Sequence, residues 1–94
     1  MPARPTPPAA PPPLTEPVED YLKAIYELET RSGAAATSDV AQALRVAPAS
    51  VTGMIRRLAT QGLLDHVPYR GVQLTDLGRR AALRTIRRHR ILET

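Results

Sequence analysis

TSDVAQALRVAPASVTGMIRRLATQG, residues 37–62, is the stretch on which the fold turns. Its apolar residues step by three and four, first Val40, Ala41 and Leu44, then Val51, Met54, Ile55 and Leu58. That spacing puts each set on one side of an α-helix. Thr37 or Ser38 offers an N-cap for the first helix, which ends near Arg45. Pro48 stands where proline is best tolerated, in the first turn of a helix, so Val46-Ala47 reads as a tight turn between two helices. The second helix continues from Pro48 to Gln61, and Gly62 stops it.

The outer side of that second helix is unlike an ordinary surface. It presents Ala49, Gly53, Arg56 and Thr60, flanked by Ser50, Thr52 and Arg57, where a structural helix would favour Glu, Lys and Gln. A mid-helix glycine costs about 1 kcal/mol relative to alanine, so Gly53 implies a compensating close approach, by a groove wall or by a packed neighbour.

Toward the N-terminus, Val18, Tyr21, Leu22, Ile25, Tyr26 and Leu28 form one helical stripe from Pro17 to about Thr30, and Ser32-Gly33 breaks it. Eight of the ten prolines lie in residues 1–17, and each removes an amide donor, so residues 1–16 read as a Pro-rich disordered tail. Toward the C-terminus, Leu64-Asp65-His66-Val67 and Val72-Gln73-Leu74 read as two strands joined by Pro68-Tyr69-Arg70-Gly71. Thr75 can cap a last helix from Asp76 that carries Arg79, Arg80, Arg84, Arg87, Arg88 and Arg90. Because no Gly, Asn or Pro closes this helix before Thr94, the chain reads as truncated. The expected fold is mainly α with a small β-hairpin, a winged helix-turn-helix, over residues 17–75.

Ninety-four residues support one small core, burying roughly 60–65% of the unfolded surface. With no Cys there is no disulfide or zinc knuckle, which agrees with a cytoplasmic protein, and no apolar run reaches the roughly 20 residues of a membrane span. Neither His66 nor His89 has a nucleophile nearby in sequence and no glycine-rich phosphate loop is present, so an enzyme is not expected; His66 reads as a strand surface residue. The net charge of +4 is unevenly spread. Residues 47–94 hold nine arginines against Asp65, Asp76 and Glu93, while acids outnumber bases in residues 1–46. A basic second half suits a phosphate backbone.

These features together point to double-stranded DNA as the partner. A recognition helix uses its N-terminal residues on base edges, where hydroxyls donate or accept and an alanine methyl meets a thymine methyl. The residues assigned to DNA contact are Thr37, Ser38, Ala47, Pro48, Ala49, Ser50, Thr52, Gly53, Arg56 and Arg57, with Arg70 at the wing tip. None of the small residues is a bidentate reader, so DNA shape and water are expected to carry much of the specificity, and the arginines to meet phosphate.

Several separated motifs resemble one family. Val18-Glu19-Asp20-Tyr21-Leu22, Thr37-Ser38-Asp39-Val40-Ala41, Pro48-Ala49-Ser50-Val51-Thr52-Gly53-Met54 and Pro68-Tyr69-Arg70-Gly71-Val72-Gln73-Leu74-Thr75 are similar, in order and spacing, to the iron- and manganese-dependent repressors of the diphtheria toxin repressor and manganese transport regulator type. The resemblance implies a homodimer whose divalent metal, Mn²⁺ or Fe²⁺, switches on operator binding. It implies metal ligation by Asp20, His89 and Glu93, with residues 76–94 the start of a helix leading to a dimerisation domain absent from this chain. Lys23 stands where manganese-type members carry Glu, and Asp20 where iron-type members carry Met, so the metal stays open.

Read without the family, the same residues leave two alternatives. His89 and Glu93 fall within the arc of Ala81, Ala82, Thr85, Ile86 and Leu92, which suits a metal-binding pair or equally a His–Glu hydrogen bond in a helix interface. Asp20 opposes the apolar stripe of its helix and reads as a solvated first-turn acid. The rival functions are a metal-independent winged-helix regulator, a protein-binding winged helix, and a fragment with little activity.

Overall fold

Glu16 to Glu93 are the residues described by the computed structural model, with side chains from Pro17 to Arg90. The tail assigned to residues 1–16 lies outside them apart from Glu16, as does the Glu93 side chain. The elements run α1 (Glu16–Ser32), α2 (Thr37–Leu44), α3 (Pro48–Thr60), β1 (Leu64–Val67), β2 (Gly71–Leu74) and α4 (Asp76–Glu93). This is the expected winged helix-turn-helix order.

Helix α1 is the spine. Its stripe of Val18, Tyr21, Leu22 and Ile25 is buried, and it packs against α2, β2 and α4. Leu22, Ile25, Val40, Val51, Leu58 and Val72 are fully enclosed, each side chain contributing about 1.5–3 kcal/mol by leaving water. The apolar side of α3 seats as its spacing predicts, with Val51, Ile55 and Leu58 buried and Met54 partly so.

The helix boundaries differ in detail from expectation. Ala36, not Thr37 or Ser38, occupies the N-cap of α2, and no side chain caps that helix. The reason lies in the preceding loop, where Ala35 exchanges two backbone hydrogen bonds with Val72, at 2.8 and 3.0 Å. This adds a one-residue third strand to the hairpin, holds the chain extended through Ala36, and delays helix entry by the register of the wing. Arg45 closes α2 in the left-handed region, its loop locked by the Val46 amide donating to the Ala41 carbonyl. At the end of α3, Gln61 is the C-cap and Gly62 follows at φ +80°. There the Leu63 amide reaches back to the Leu58 carbonyl, the arrangement that a C-terminal glycine permits.

Strands β1 and β2 pair antiparallel in the register Leu64 to Leu74, Asp65 to Gln73, His66 to Val72 and Val67 to Gly71. Leu64, Val72 and Leu74 face the helices and are buried, while Asp65 and Gln73 face out. Gly71 makes the close pairing with Ala35 possible: a Cβ there would lie 2.0 Å from the Ala35 carbonyl oxygen. Thr75 caps α4 as its sequence position predicts, accepting the Gly78 amide at 3.1 Å, and its hydroxyl donates to the Gly62 carbonyl at 2.6 Å.

Glu29 ties the spine to both C-terminal elements. Its side chain, 11% exposed, accepts the Leu74 amide on one oxygen at 2.7 Å and the Arg79 guanidinium on the other at 3.0 Å. Glu19 receives Arg88 one element-length away, so α1 and α4 run antiparallel with an ion pair toward each end.

Candidate nucleic-acid interface

Local sequence makes α3 protrude. Val46 and Ala47 are exposed, Ala47 is extended at the N-cap, and Pro48 starts the helix without needing a hydrogen-bond partner for its nitrogen. Pro48, Ala49, Ser50, Thr52, Gly53, Arg56, Arg57 and Thr60 are all exposed on the side opposite the core. A Cβ built on Gly53 meets nothing within 4 Å. No packed neighbour within the described residues therefore accounts for this glycine.

The hydroxyls on this helix are partly committed. Thr52 donates to the Pro48 carbonyl at 3.1 Å and Thr60 to the Arg56 carbonyl at 2.9 Å. Their oxygen lone pairs remain to accept from a partner's amino group. Arg56 and Arg57 make no ion pair among the described residues and border an open hollow with Gly53, Thr60 and Gln61.

Between α3 and the wing lies a second hollow of about 240 Å³, lined by Thr37, Thr52, Ile55, Arg56, His66, Gly71 and Val72. Sequence reading gives His66 no part in a site. It is the exposed strand residue expected, and its pairing with Val72 puts it on the helix side of the hairpin, at the hollow that Arg56 also lines. Thr37 borders the same hollow, and Ser38 beside it is exposed.

The wing is strapped to the loop before α2. Besides the Ala35–Val72 ladder, the Gln73 amide group donates to the Gly33 carbonyl at 2.6 Å, and the Arg70 guanidinium donates to the Ser32 carbonyl. Arg70 is therefore folded back along the hairpin instead of projecting from its tip. Tyr69, between the exposed Pro68 and Arg70, is fully exposed at φ +65°.

The arginines of α4 divide into two groups that a helical wheel does not separate. Arg79 and Arg88 turn to α1 and its acids, while Arg80, Arg84 and Arg87 surround Leu83 on the outer surface. Thr85, 1% exposed, is buried in α4, and its hydroxyl has no hydrogen-bond partner.

Asp20 and His89 come to the same end of the α1–α4 pair, each adjacent in sequence to a member of the Glu19–Arg88 ion pair. Asp20 is exposed at a hollow with Pro17, Tyr21, Leu44 and Val46, and His89 is half-buried. Among the described residues no three His, Cys, Asp or Glu side chains gather closely enough to hold a metal ion. Glu93 lies in α4 with its side chain outside the description.

Residues 13–72 match the family described as iron dependent repressor, N-terminal DNA binding domain. MntR of Lysinibacillus sphaericus, an HTH-type transcriptional regulator, is 42% identical over 79 residues, 84% of this chain and 57% of that protein. MntR of Bacillus subtilis is also 42% identical over 79 residues, 84% of this chain and 56% of that protein. Among solved structures, IdeR of T. acidophilum superposes with a TM-score of 0.75 at 35% identity, covering 84% of this chain and 36% of that one. ScaR with bound Zn²⁺ gives 0.70 at 39% identity, covering 80% and 35%. This chain thus spans little more than half the length of the curated relatives it matches.

Proposed function

The chain belongs to the iron dependent repressor family, and on that premise we propose that it is the operator-binding part of a transcriptional repressor, with α3 entering the major groove of double-stranded DNA. Its relatives are transcriptional regulators and not enzymes. The observation that carries the reading is the exposed side of α3, where unpaired Arg56 and Arg57 flank a glycine with open space before it.

Each residue then has a task set by its chemistry. The Ala49 methyl and the hydroxyls of Ser50 and Thr52 meet base edges, and Gly53 lets the groove wall approach the helix backbone. Arg56 and Arg57 neutralise phosphates; Thr37, Ser38, Ala47 and Pro48 seat the neighbouring backbone, and Arg70 supports the wing. None of these contacts is a bidentate base pair reader, so groove shape carries part of the specificity.

The test is an anisotropy titration of the chain on a labelled duplex between about 50 and 200 mM salt. The expected log–log slope is negative and becomes shallower by about 0.9 for each of Arg56→Ala and Arg57→Ala. A chain that binds no duplex at low salt refutes the reading.

For regulation, the donor chemistry of Asp20 and His89, carboxylate and imidazole, suits a divalent transition metal such as Mn²⁺ or Fe²⁺, with Glu93 as a further ligand. Two described donors do not close a site, so the DNA-binding reading rests on the chain's own residues alone. The full-length protein would be a cytoplasmic homodimer; no helix among the described residues is long and apolar enough to cross a membrane. A metal-independent regulator is the second reading, favoured by Lys23, a cation three residues after Asp20 where manganese-type members carry Glu. Equal duplex affinity with and without Mn²⁺ in both the wild-type chain and His89→Ala supports the second reading.

A further inference from the structure

Resting on that DNA-binding reading, we infer that Tyr69 is the wing's own DNA contact, its ring lying against the deoxyribose of the strand beside the groove that α3 enters and its hydroxyl donating to a phosphate oxygen. Four observations converge on this residue.

The first is backbone geometry. The Arg70 amide donates to the Val67 carbonyl at 3.0 Å, closing a four-residue turn with Pro68 second and Tyr69 third, at φ +65°. This is the position of a type II turn that favours Gly or Asn, because an L side chain is strained there. Strain of this sort persists where surrounding structure imposes it and concentrates at binding sites.

The second is exposure. Tyr69 is 107% exposed, so nothing in the described chain repays the strain by packing on the ring. The other two tyrosines, Tyr21 and Tyr26, are buried and half-buried in the core. The third is that Arg70, the only Lys or Arg of the hairpin, is engaged by the Ser32 carbonyl, so the neighbouring Tyr69 is the side chain of the turn with no contact of its own among the described residues.

The fourth is rigidity. The Ala35–Val72 ladder and the Gln73–Gly33 hydrogen bond fix the hairpin against the loop before α2, so the ring is held at a set position relative to α3. A tyrosine on such a mount suits a sugar–phosphate surface: its flat apolar body covers the sugar, its hydroxyl reaches the phosphate, and few torsions are lost on binding.

The experiment compares wild type, Tyr69→Gly and Tyr69→Phe on a duplex selected from a random library by the wild-type chain. Glycine relieves the turn, so Tyr69→Gly is expected to raise Tm by about 4 °C or more. In the same variant the Kd for the duplex is expected to rise about tenfold, with the salt slope unchanged because no charge is removed. Tyr69→Phe is expected to give about a threefold rise, consistent with one lost hydrogen bond. Hydroxyl-radical footprinting should lose sugar protection at one flank and keep it where α3 binds.

A more stable variant with weaker binding cannot arise from a purely structural role. A Tyr69→Gly chain that binds within twofold of wild type overturns the inference while leaving the DNA-binding reading intact; so does one that loses stability. A wild-type chain that selects no duplex overturns both.

Discussion

Helices α3 and α4 both carry arginines, and those of α4 that face α1 are held differently from those of α3. On α4, Arg79 and Arg88 are matched to Glu29 and Glu19 of α1, with carboxylates sheltered from solvent. On α3, Arg56 and Arg57 have no acid among the described residues and stand beside a glycine with nothing in front of it. Arg80, Arg84 and Arg87 on the outer surface of α4 likewise have no ion-pair partner among the described residues, so what sets α3 apart is the open glycine beside its arginines.

The paired side breaks most severely. Glu29→Ala leaves the Leu74 amide and the Arg79 guanidinium without their acceptor, and is expected to cost about 2–3 kcal/mol, discounted for the partial exposure of Arg79. Urea denaturation measures it; a loss below about 0.5 kcal/mol would show that Glu29 clamps nothing. DNA affinity should fall only as far as unfolding requires.

On the unpaired side the pattern inverts. Arg56→Ala or Arg57→Ala is expected to leave stability within about 0.5 kcal/mol of wild type, since each is exposed and unpartnered. Duplex affinity should drop about tenfold per arginine near 50 mM salt, with the difference shrinking as salt rises. A destabilised variant with normal affinity would erase the contrast between the helices.

Gly53→Ala sharpens it further. The added methyl meets nothing within 4 Å, so helix propensity alone predicts a gain of about 1 kcal/mol in stability. If the groove wall comes close to α3, the same methyl weakens duplex binding. Higher stability with undiminished affinity would show that the glycine serves no approach.

The smallest effect is expected at Thr85→Val, which removes the unpartnered hydroxyl from the buried side of α4 at nearly constant shape. Stability should rise by about 0.5–1 kcal/mol, with DNA binding unchanged.

Much of this was legible from residues 37–62 outward. Apolar spacing located the first three helices, Gly62 marked the stop of the third and Thr75 the start of the fourth, and the exposed side of α3 followed from the same wheel that located its core side. What escaped was interaction without a side-chain signature. The Ala35–Val72 ladder is made by backbone alone and shifted the cap of α2 to Ala36. A wheel describes one helix at a time, so it grouped Arg79 and Arg88 with the outer arginines although α1 offers them acids. Arg70 lies in the wing-tip turn as its sequence position suggests, but hairpin sequence order does not reveal its hydrogen bond to Ser32. His66 is the exposed strand residue that its sequence suggests, and only the strand register shows that it borders the hollow with Arg56. Of the ligand residues implied by resemblance, Asp20 and His89 share an end of the α1–α4 pair, a proximity that pattern along the chain could not express.

The strap between Ser32–Ala36 and the hairpin has one more consequence. Because backbone ladder and side-chain hydrogen bonds hold the wing to the entrance of α2, the separation between wing tip and α3 is a fixed span, like the jaws of a gauge. A duplex that fits without bending or widening is bound at no elastic cost, and one that does not must be deformed to match. Sequence preference at base pairs that no side chain touches would then be written in the width of this gap.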